Sequence, residues 1–148
     1  ACRPRLLIVD EPTKGIDSGL LGEVAACFRR GRADFPDLAM MVVTHDLRFA
    51  ARIADRIAVM YAGQVLEEAP ATAFFGEQKH PYARALLRAA PERGMTPIPG
   101  VLPSMTQLSE GCPFSPRCVL AEARCVSTPA PRVHVGETRI ACRRYDRG

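Results

Sequence analysis

Apolar positions along the first part of the chain come in short blocks. Leu6-Leu7-Ile8-Val9 and Met40-Met41-Val42-Val43 are unbroken apolar runs, the pattern of strands buried on both faces. Between them, Leu20, Leu21, Val24, Ala25 and Phe28 recur at helical spacing behind Ser18, a residue that can cap a helix. After the second run, Asp46 can cap a helix carrying Leu47, Ala50, Ala51 and Ala54. Arg56 to Tyr61 and Gln64 to Glu68 read as two strands about a turn at Ala62-Gly63. The order strand, helix, strand, helix, strand predicts an α/β fold with a mostly parallel sheet covered by helices.

Beyond Glu68 the pattern loosens. Thr72 to Phe75 and Tyr82 to Ala89 predict two short helices, the second opening after Pro81. Residues 91–116 hold Pro91, Pro97, Pro99, Pro103, Pro113 and Pro116, which favour extended loop over long elements. A module boundary is expected near residue 78, dividing the chain into 1–78 and 79–148, and no internal repeat is apparent.

Charge sharpens that division. Residues 1–78 carry 9 Lys/Arg and 11 Asp/Glu, and residues 79–148 carry 11 and 5, so a mildly acidic half precedes a basic one. A basic tail suits nucleic acid or anionic lipid. Only Phe114 and Tyr145 are aromatic in 91–148, however, so base-stacking platforms are scarce and nucleic acid is not expected as a partner. No apolar run approaches the ~20 residues of a membrane span. Arg3 and Arg5 lead into only four apolar residues, unlike a signal peptide.

The candidate chemistry sits where the apolar runs end. Asp10 and Glu11 close the first run, and open α/β sheets bind ligands at the C-terminal ends of their strands. Strand alternation gives the two carboxylates different directions, so one can hold Mg²⁺ through its waters while the other meets a water attacking a phosphoryl group. Pro12 prevents the strand from continuing. The second run ends in Thr44-His45-Asp46, bringing a histidine to the same sheet edge, suited to a γ-phosphate or the attacking water. Singly, an Asp-Glu pair is more often a solvated turn and a lone histidine a cap or surface residue; in this order, each at a strand end, the set is informative.

As an ordered set, residues 5–70 resemble the nucleotide-binding subunit of ABC transporters. Leu6 to Glu11 is similar to its Walker B strand, which puts Asp10 at the magnesium position and Glu11 at the catalytic glutamate. Lys14-Gly15-Ile16-Asp17 resembles the following D-loop, which implies that Asp17 lies at a dimer interface, and His45 matches the switch histidine. Ala54 to Met60 and the Gly63 turn resemble the strands that close the family's sheet. The resemblance implies ATP and Mg²⁺ as cofactors. It does not extend to the phosphate-binding half: the 148 residues contain neither Gly-x-x-x-x-Gly-Lys-Ser/Thr nor Ser-Gly-Gly-Gln. A truncated product or an excised piece of a longer subunit is therefore expected, inactive by itself.

The remainder resembles the C-terminal extension of oligopeptide, dipeptide and nickel importer ATPases, through His80 to Leu87, Ile98-Pro99-Gly100 and Gly111 to Cys118. Four of the six cysteines lie here: Cys112, Cys118, Cys125 and Cys142, separated by five, six and sixteen residues. Without a secretion signal a reducing compartment is expected, which favours a metal over disulfides. Zinc sites commonly contain a tight cysteine pair, so these wide spacings suit an iron–sulfur cluster better, with zinc or free thiols as alternatives. The resemblance adds that some dipeptide-type members carry a 4Fe–4S cluster at such cysteines. Arg117, Arg124, Arg143 and Arg144 lie beside the ligands in sequence and are expected to favour anionic sulfur. His134 is a further ligand candidate, more often a surface residue; Cys2 and Cys27 read as small buried hydrophobes.

The expectation from family resemblance is an α/β, P-loop NTPase type partial core followed by a metal-held, loop-rich extension. It would be the ATP-hydrolysing subunit of a dipeptide or oligopeptide importer, peripheral on the cytoplasmic side of the membrane. Its expected partners are a second ATPase subunit, identical or not, and the transmembrane permease subunits, with an extracytoplasmic substrate-binding protein reached indirectly. The rival readings are a non-catalytic metal-binding assembly module and the ATPase of a nickel importer.

Overall fold

The computed structural model describes residues 4–104, 106 and 110–146. The chain divides into two compact units, the first ending at Ala54 and the second beginning at Asp55. The expected module boundary near residue 78 lies within the second.

In the first unit, β1 (Leu6–Asp10) and β2 (Ala39–Val43) pair in parallel, with Leu6 opposite Ala39 and Asp10 opposite Val43. The crossover runs through a 3-10 turn (Ser18–Leu20) and α1 (Leu21–Asp34). Asp17, rather than Ser18, supplies the cap: its carboxylate accepts the Gly19 N–H at 2.7 Å. The apolar stripe of α1 buries Leu21 and Ala25, and Phe28 meets Phe49 of α2 (Leu47–Ile53) edge to face, with ring centroids 5.4 Å apart. Asp46 caps α2 as the sequence predicts, accepting the N–H groups of Arg48 and Phe49 at 2.9 and 3.1 Å.

The strands are not buried on both faces. Leu6 is 53% exposed, Ile8 62% and Met41 55%, because two strands and two helices leave much of this sheet uncovered. Cys27 is likewise exposed, beside the Arg30 guanidinium at 3.1 Å, and Cys2 lies outside the described residues.

The second unit departs further from expectation. β3 (Arg56–Tyr61) and β4 (Gln64–Pro70) form a hairpin whose two turn residues, Ala62 and Gly63, both take positive φ, as a two-residue connection matching strand twist requires. Then follow α3 (Ala71–Gly76), α4 (Pro81–Ala89), α5 (Ala123–Ser127), β5 (Arg132–Val135) and β6 (Thr138–Ala141). The strand order is β3-β4-β6-β5, antiparallel at every pairing. The fold is therefore mixed α/β with two sheets, and the expectation of a mostly parallel sheet holds only for β1 and β2. The third strand turns straight back on itself, which commits it to an antiparallel neighbour.

The tail is also less loop-like than its prolines suggest. β6 pairs with β4 through Glu67 opposite Ile140 and Glu68 opposite Arg139, so both ends of this unit share one sheet. Phe114 is buried between Tyr61 and Tyr82, with centroids 5.4 and 5.2 Å away, and anchors the cysteine loop to the hairpin and α4. This aromatic packing supplies order to the tail.

Beneath α4 lies a buried polar node. The fully buried Glu67 carboxylate accepts the Lys79 N–H at 3.0 Å and the His80 N–H at 2.6 Å. Burial pushes this carboxyl up more than those N–H bonds and nearby cations pull it down. His80 Nδ1 accepts the Tyr82 N–H at 3.0 Å, capping α4, while burial holds its imidazole down at about 4. Glu67→Ala is expected to cost roughly 3 kcal/mol, because two buried N–H groups lose their acceptor. Glu67→Gln, whose one oxygen can still receive both, is expected to cost under ~1 kcal/mol. Urea unfolding measures both; equal losses would show that the hydrogen bonds do not govern this position.

Candidate functional site

The parallel pairing brings the ends of β1 and β2 side by side. Asp10 is exposed at the last residue of β1, and the following Glu11 N–H donates to the Val43 carbonyl at 2.8 Å, so the contact outlasts the strand. Glu11 then adopts φ +47°, in the left-handed region that non-glycine residues seldom occupy. That turn points its carboxylate back across β2. Oε1 accepts the His45 backbone N–H at 3.1 Å, and Oε2 lies 2.8 Å from His45 Nδ1.

Glu11 Oε2 is itself buried and lacks an aligned hydrogen-bond donor, so its approach to His45 Nδ1 is a close electrostatic contact. The imidazole is 81% exposed, so the same ring offers Nε2 to solvent. Glu11 and His45 are thus joined by a backbone hydrogen bond and a close side-chain contact, a pairing that the sequence places at one sheet edge without predicting direct contact. Lys14 and Ile16 N–H groups close successive turns onto Glu11 and Thr13 carbonyls, at 3.1 Å each, and lead to the Asp17 cap. No Gly-rich phosphate loop accompanies this pair in the 148 residues.

The second candidate site, in the other unit, is the cysteine group. Cys112, Cys118 and Cys125 are half-buried, Cys142 is buried, and all four are free thiols. Burial pushes Cys112 up to about 11 and raises Cys118 and Cys142. Charge on Cys118, Cys125 or Cys142 would raise Cys112 further, so the four sit within electrostatic reach of one another. The expected metal centre is nonetheless not formed: among the described residues, no group of three or more metal-binding side chains is placed to hold an ion. The thiols hang from separate supports, namely the loop before and after Phe114, α5, and the end of β6. His134 lies exposed on β5.

The arginines mostly serve other purposes. Arg117 donates to the carbonyls of Pro99 and Ile98 at 2.9 and 2.7 Å and to the Tyr61 hydroxyl at 3.3 Å, tying the proline-rich strap down. Arg124 pairs with Glu122 at 3.1 Å, and Arg143 donates to the Pro129 carbonyl at 3.0 Å. Arg144 is near enough to lower Cys118 and Cys142. Two residues that organise this region, His80 and Gly111, do not stand out individually in the sequence. A histidine directly before Pro81 carries the usable signal, since proline favours the first helical position behind a cap.

Comparison with known proteins gives similarity to transport ATP-binding proteins. Residues 66–125 match the family described as "Oligopeptide/dipeptide transporter, C-terminal region". The chain is 37% identical over 147 residues to a dipeptide transport ATP-binding protein of Haemophilus influenzae, covering 96% of this chain and 44% of that protein. It is 41% identical over 130 residues to the dipeptide transport ATP-binding protein of Escherichia coli, covering 84% and 39%. It is 38% identical over 133 residues to an oligopeptide transport ATP-binding protein of Haemophilus influenzae, covering 86% and 41%. The chain spans about two-fifths of the length of these curated relatives.

Proposed function

We propose, for a chain that is kin to the ATP-binding subunits of dipeptide and oligopeptide importers, that it carries the water-activating and γ-phosphate-sensing part of such a subunit. The supporting observation is the Glu11–His45 pair, joined at 2.8 Å where two parallel strands end. In this reading Glu11 polarises the attacking water, His45 Nε2 meets the γ-phosphate, and Asp10 holds Mg²⁺ through water. Asp17, at the start of the 3-10 turn, would face the second ATPase subunit. The full assembly would be peripheral on the cytoplasmic face of a membrane, beside permease subunits. The described helices include none long and apolar enough to cross one.

The 148-residue chain alone is expected to bind MgATP no tighter than millimolar and to hydrolyse none, because a triphosphate needs backbone N–H groups and a lysine to orient it. A chimera in which the phosphate-loop half of the Haemophilus influenzae dipeptide transport protein precedes residues 1–148 is expected to hydrolyse ATP, with His45→Ala slowing turnover at least ~10-fold. Calorimetry and phosphate release measure these. Tight MgATP binding by the chain alone, or full turnover by the His45→Ala chimera, would overturn the reading.

The four free thiols of the tail support a second proposal, a structural 4Fe–4S cluster on Cys112, Cys118, Cys125 and Cys142. The relevant observation is four free, half-buried or buried thiols within one unit, which a cluster would hold at four separated corners. When bound, such a group would cross-link the loop, α5 and β6. Protein purified without oxygen is expected to be brown, with iron and acid-labile sulfide, and Cys118→Ser to bleach it. Substituting the exposed Cys27 by serine should leave the colour unchanged. Stoichiometric zinc without sulfide would decide against the cluster.

A further inference from the structure

Between α4, the strap around Ile98 and the cysteine loop lies a half-open cleft of about 240 Å³. Its floor is apolar, built from residues that include Ile98, Phe114 and Leu120. Three cationic side chains line it, Arg84, Arg88 and Arg117, and among the described residues no aspartate or glutamate does. The strap is not a loose flap. Arg117 holds its Ile98 and Pro99 carbonyls, and the Thr96 N–H donates to the Arg88 carbonyl at 3.0 Å. The cleft is therefore preformed, and an occupant would not have to order it.

Two of the arginines are already engaged, which limits what the cleft can hold. Arg117 spends donors on the strap and Tyr61, and Arg84 donates to the Gln78 carbonyl at 2.8 Å and lies 3.5 Å from the Tyr145 hydroxyl. Arg88, one helical turn beyond Arg84, is exposed. A planar guanidinium over an apolar floor is matched by a carboxylate on an apolar body, since Arg binds carboxylates with two parallel N–H bonds. The volume lies just below the ~300–1,000 Å³ of drug-sized pockets, which favours a small molecule.

We propose that this cleft is a binding site for a small carboxylate bearing an apolar body, its head on Arg88 and its tail over Ile98, Phe114 and Leu120. The apolar floor supplies burial, and the excess of cations over anions selects the sign of the head group. The inference is independent of nucleotide chemistry, because none of its residues belongs to the Glu11–His45 site.

The test uses the intact 148-residue chain, ¹⁵N-labelled, titrated with hexanoate, hexanamide and hexylammonium. Hexanoate is expected to shift the backbone amides of Ala85, Arg88 and Ile98 with a Kd on the order of 1 mM, as befits so few heavy atoms. Hexanamide is expected to bind at least ~5-fold more weakly and hexylammonium not at all. Arg88→Gln, at an exposed position, should retain the dispersed spectrum of the parent and weaken hexanoate at least ~5-fold. Absence of shifts at these amides up to ~20 mM, equal binding of hexanamide, or undiminished binding by Arg88→Gln would each overturn the proposal.

Discussion

Replacing Gly111 with alanine is expected to lower the melting temperature of the chain by more than ~10 °C, the equivalent of roughly 3 kcal/mol in a domain this small. A Cβ at this position would lie 2.1 Å from the Cys125 carbonyl oxygen and 2.8 Å from the backbone carbons of Cys125 and Val126. None of these is the end of a flexible side chain, so the strands of the loop must separate. Separation breaks two hydrogen bonds, from Gly111 N–H to the Val126 carbonyl at 3.0 Å and from Cys112 N–H to the Cys125 carbonyl at 2.8 Å. Cys112 would then leave its half-buried setting, so its thiol should alkylate faster than in the parent. Gly136 is the control. It has φ +62°, and a Cβ added there would meet nothing within 4 Å, so Gly136→Ala should cost only about 1 kcal/mol of backbone strain. A Gly111→Ala melt within a few degrees of the parent would mean that the loop approach is not as close as described.

The second large effect concerns hydrolysis. In the ATP-hydrolysing chimera, Glu11→Gln is expected to reduce kcat by a factor of roughly 10²–10³ while leaving KM for ATP within about threefold. The amide has the carboxylate's shape but cannot accept a proton from water. It also changes the histidine. If the amide oxygen keeps the backbone N–H of His45, now at 3.1 Å from Oε1, the amide nitrogen faces Nδ1 and must donate to it. The ring proton of neutral His45 then moves to Nε2. Nitrogen-15 shifts of the imidazole, measured on the 148-residue variant at a pH where the ring is neutral, report that exchange directly. Parental turnover by the Gln variant would remove Glu11 from the role proposed for it.

What can be read from sequence is whatever local chemistry decides. Asp46 caps a helix because its carboxylate meets N–H groups two and three residues away, and the Ala62-Gly63 turn sets the β3–β4 pairing within a few residues. The placing of Glu11 and His45 at one sheet edge is legible too, since each follows an apolar run. Their direct contact is not, because it depends on the positive φ of Glu11, which no neighbouring residue announces. Nor is the β4–β6 pairing visible: nothing near Glu67 specifies Ile140 as its partner, and short strands far apart carry weak register signals. The four cysteines stand out as a group, but the arginines beside them in sequence mislead. Adjacency along a chain says little about where a long side chain finds acceptors, and Arg117 finds them on the strap.

The β4–β6 pairing also bears on how the chain is made. Glu67 leaves a ribosome well before Ile140, its partner in the sheet. At ~5–20 residues per second that interval lasts on the order of 4–15 s. Throughout it the β4 edge that β6 later covers is unpaired, a ready template for another nascent chain. Production of this protein should therefore be sensitive to translation speed and to chaperone supply, and slow, crowded synthesis should favour inclusion bodies over soluble chain.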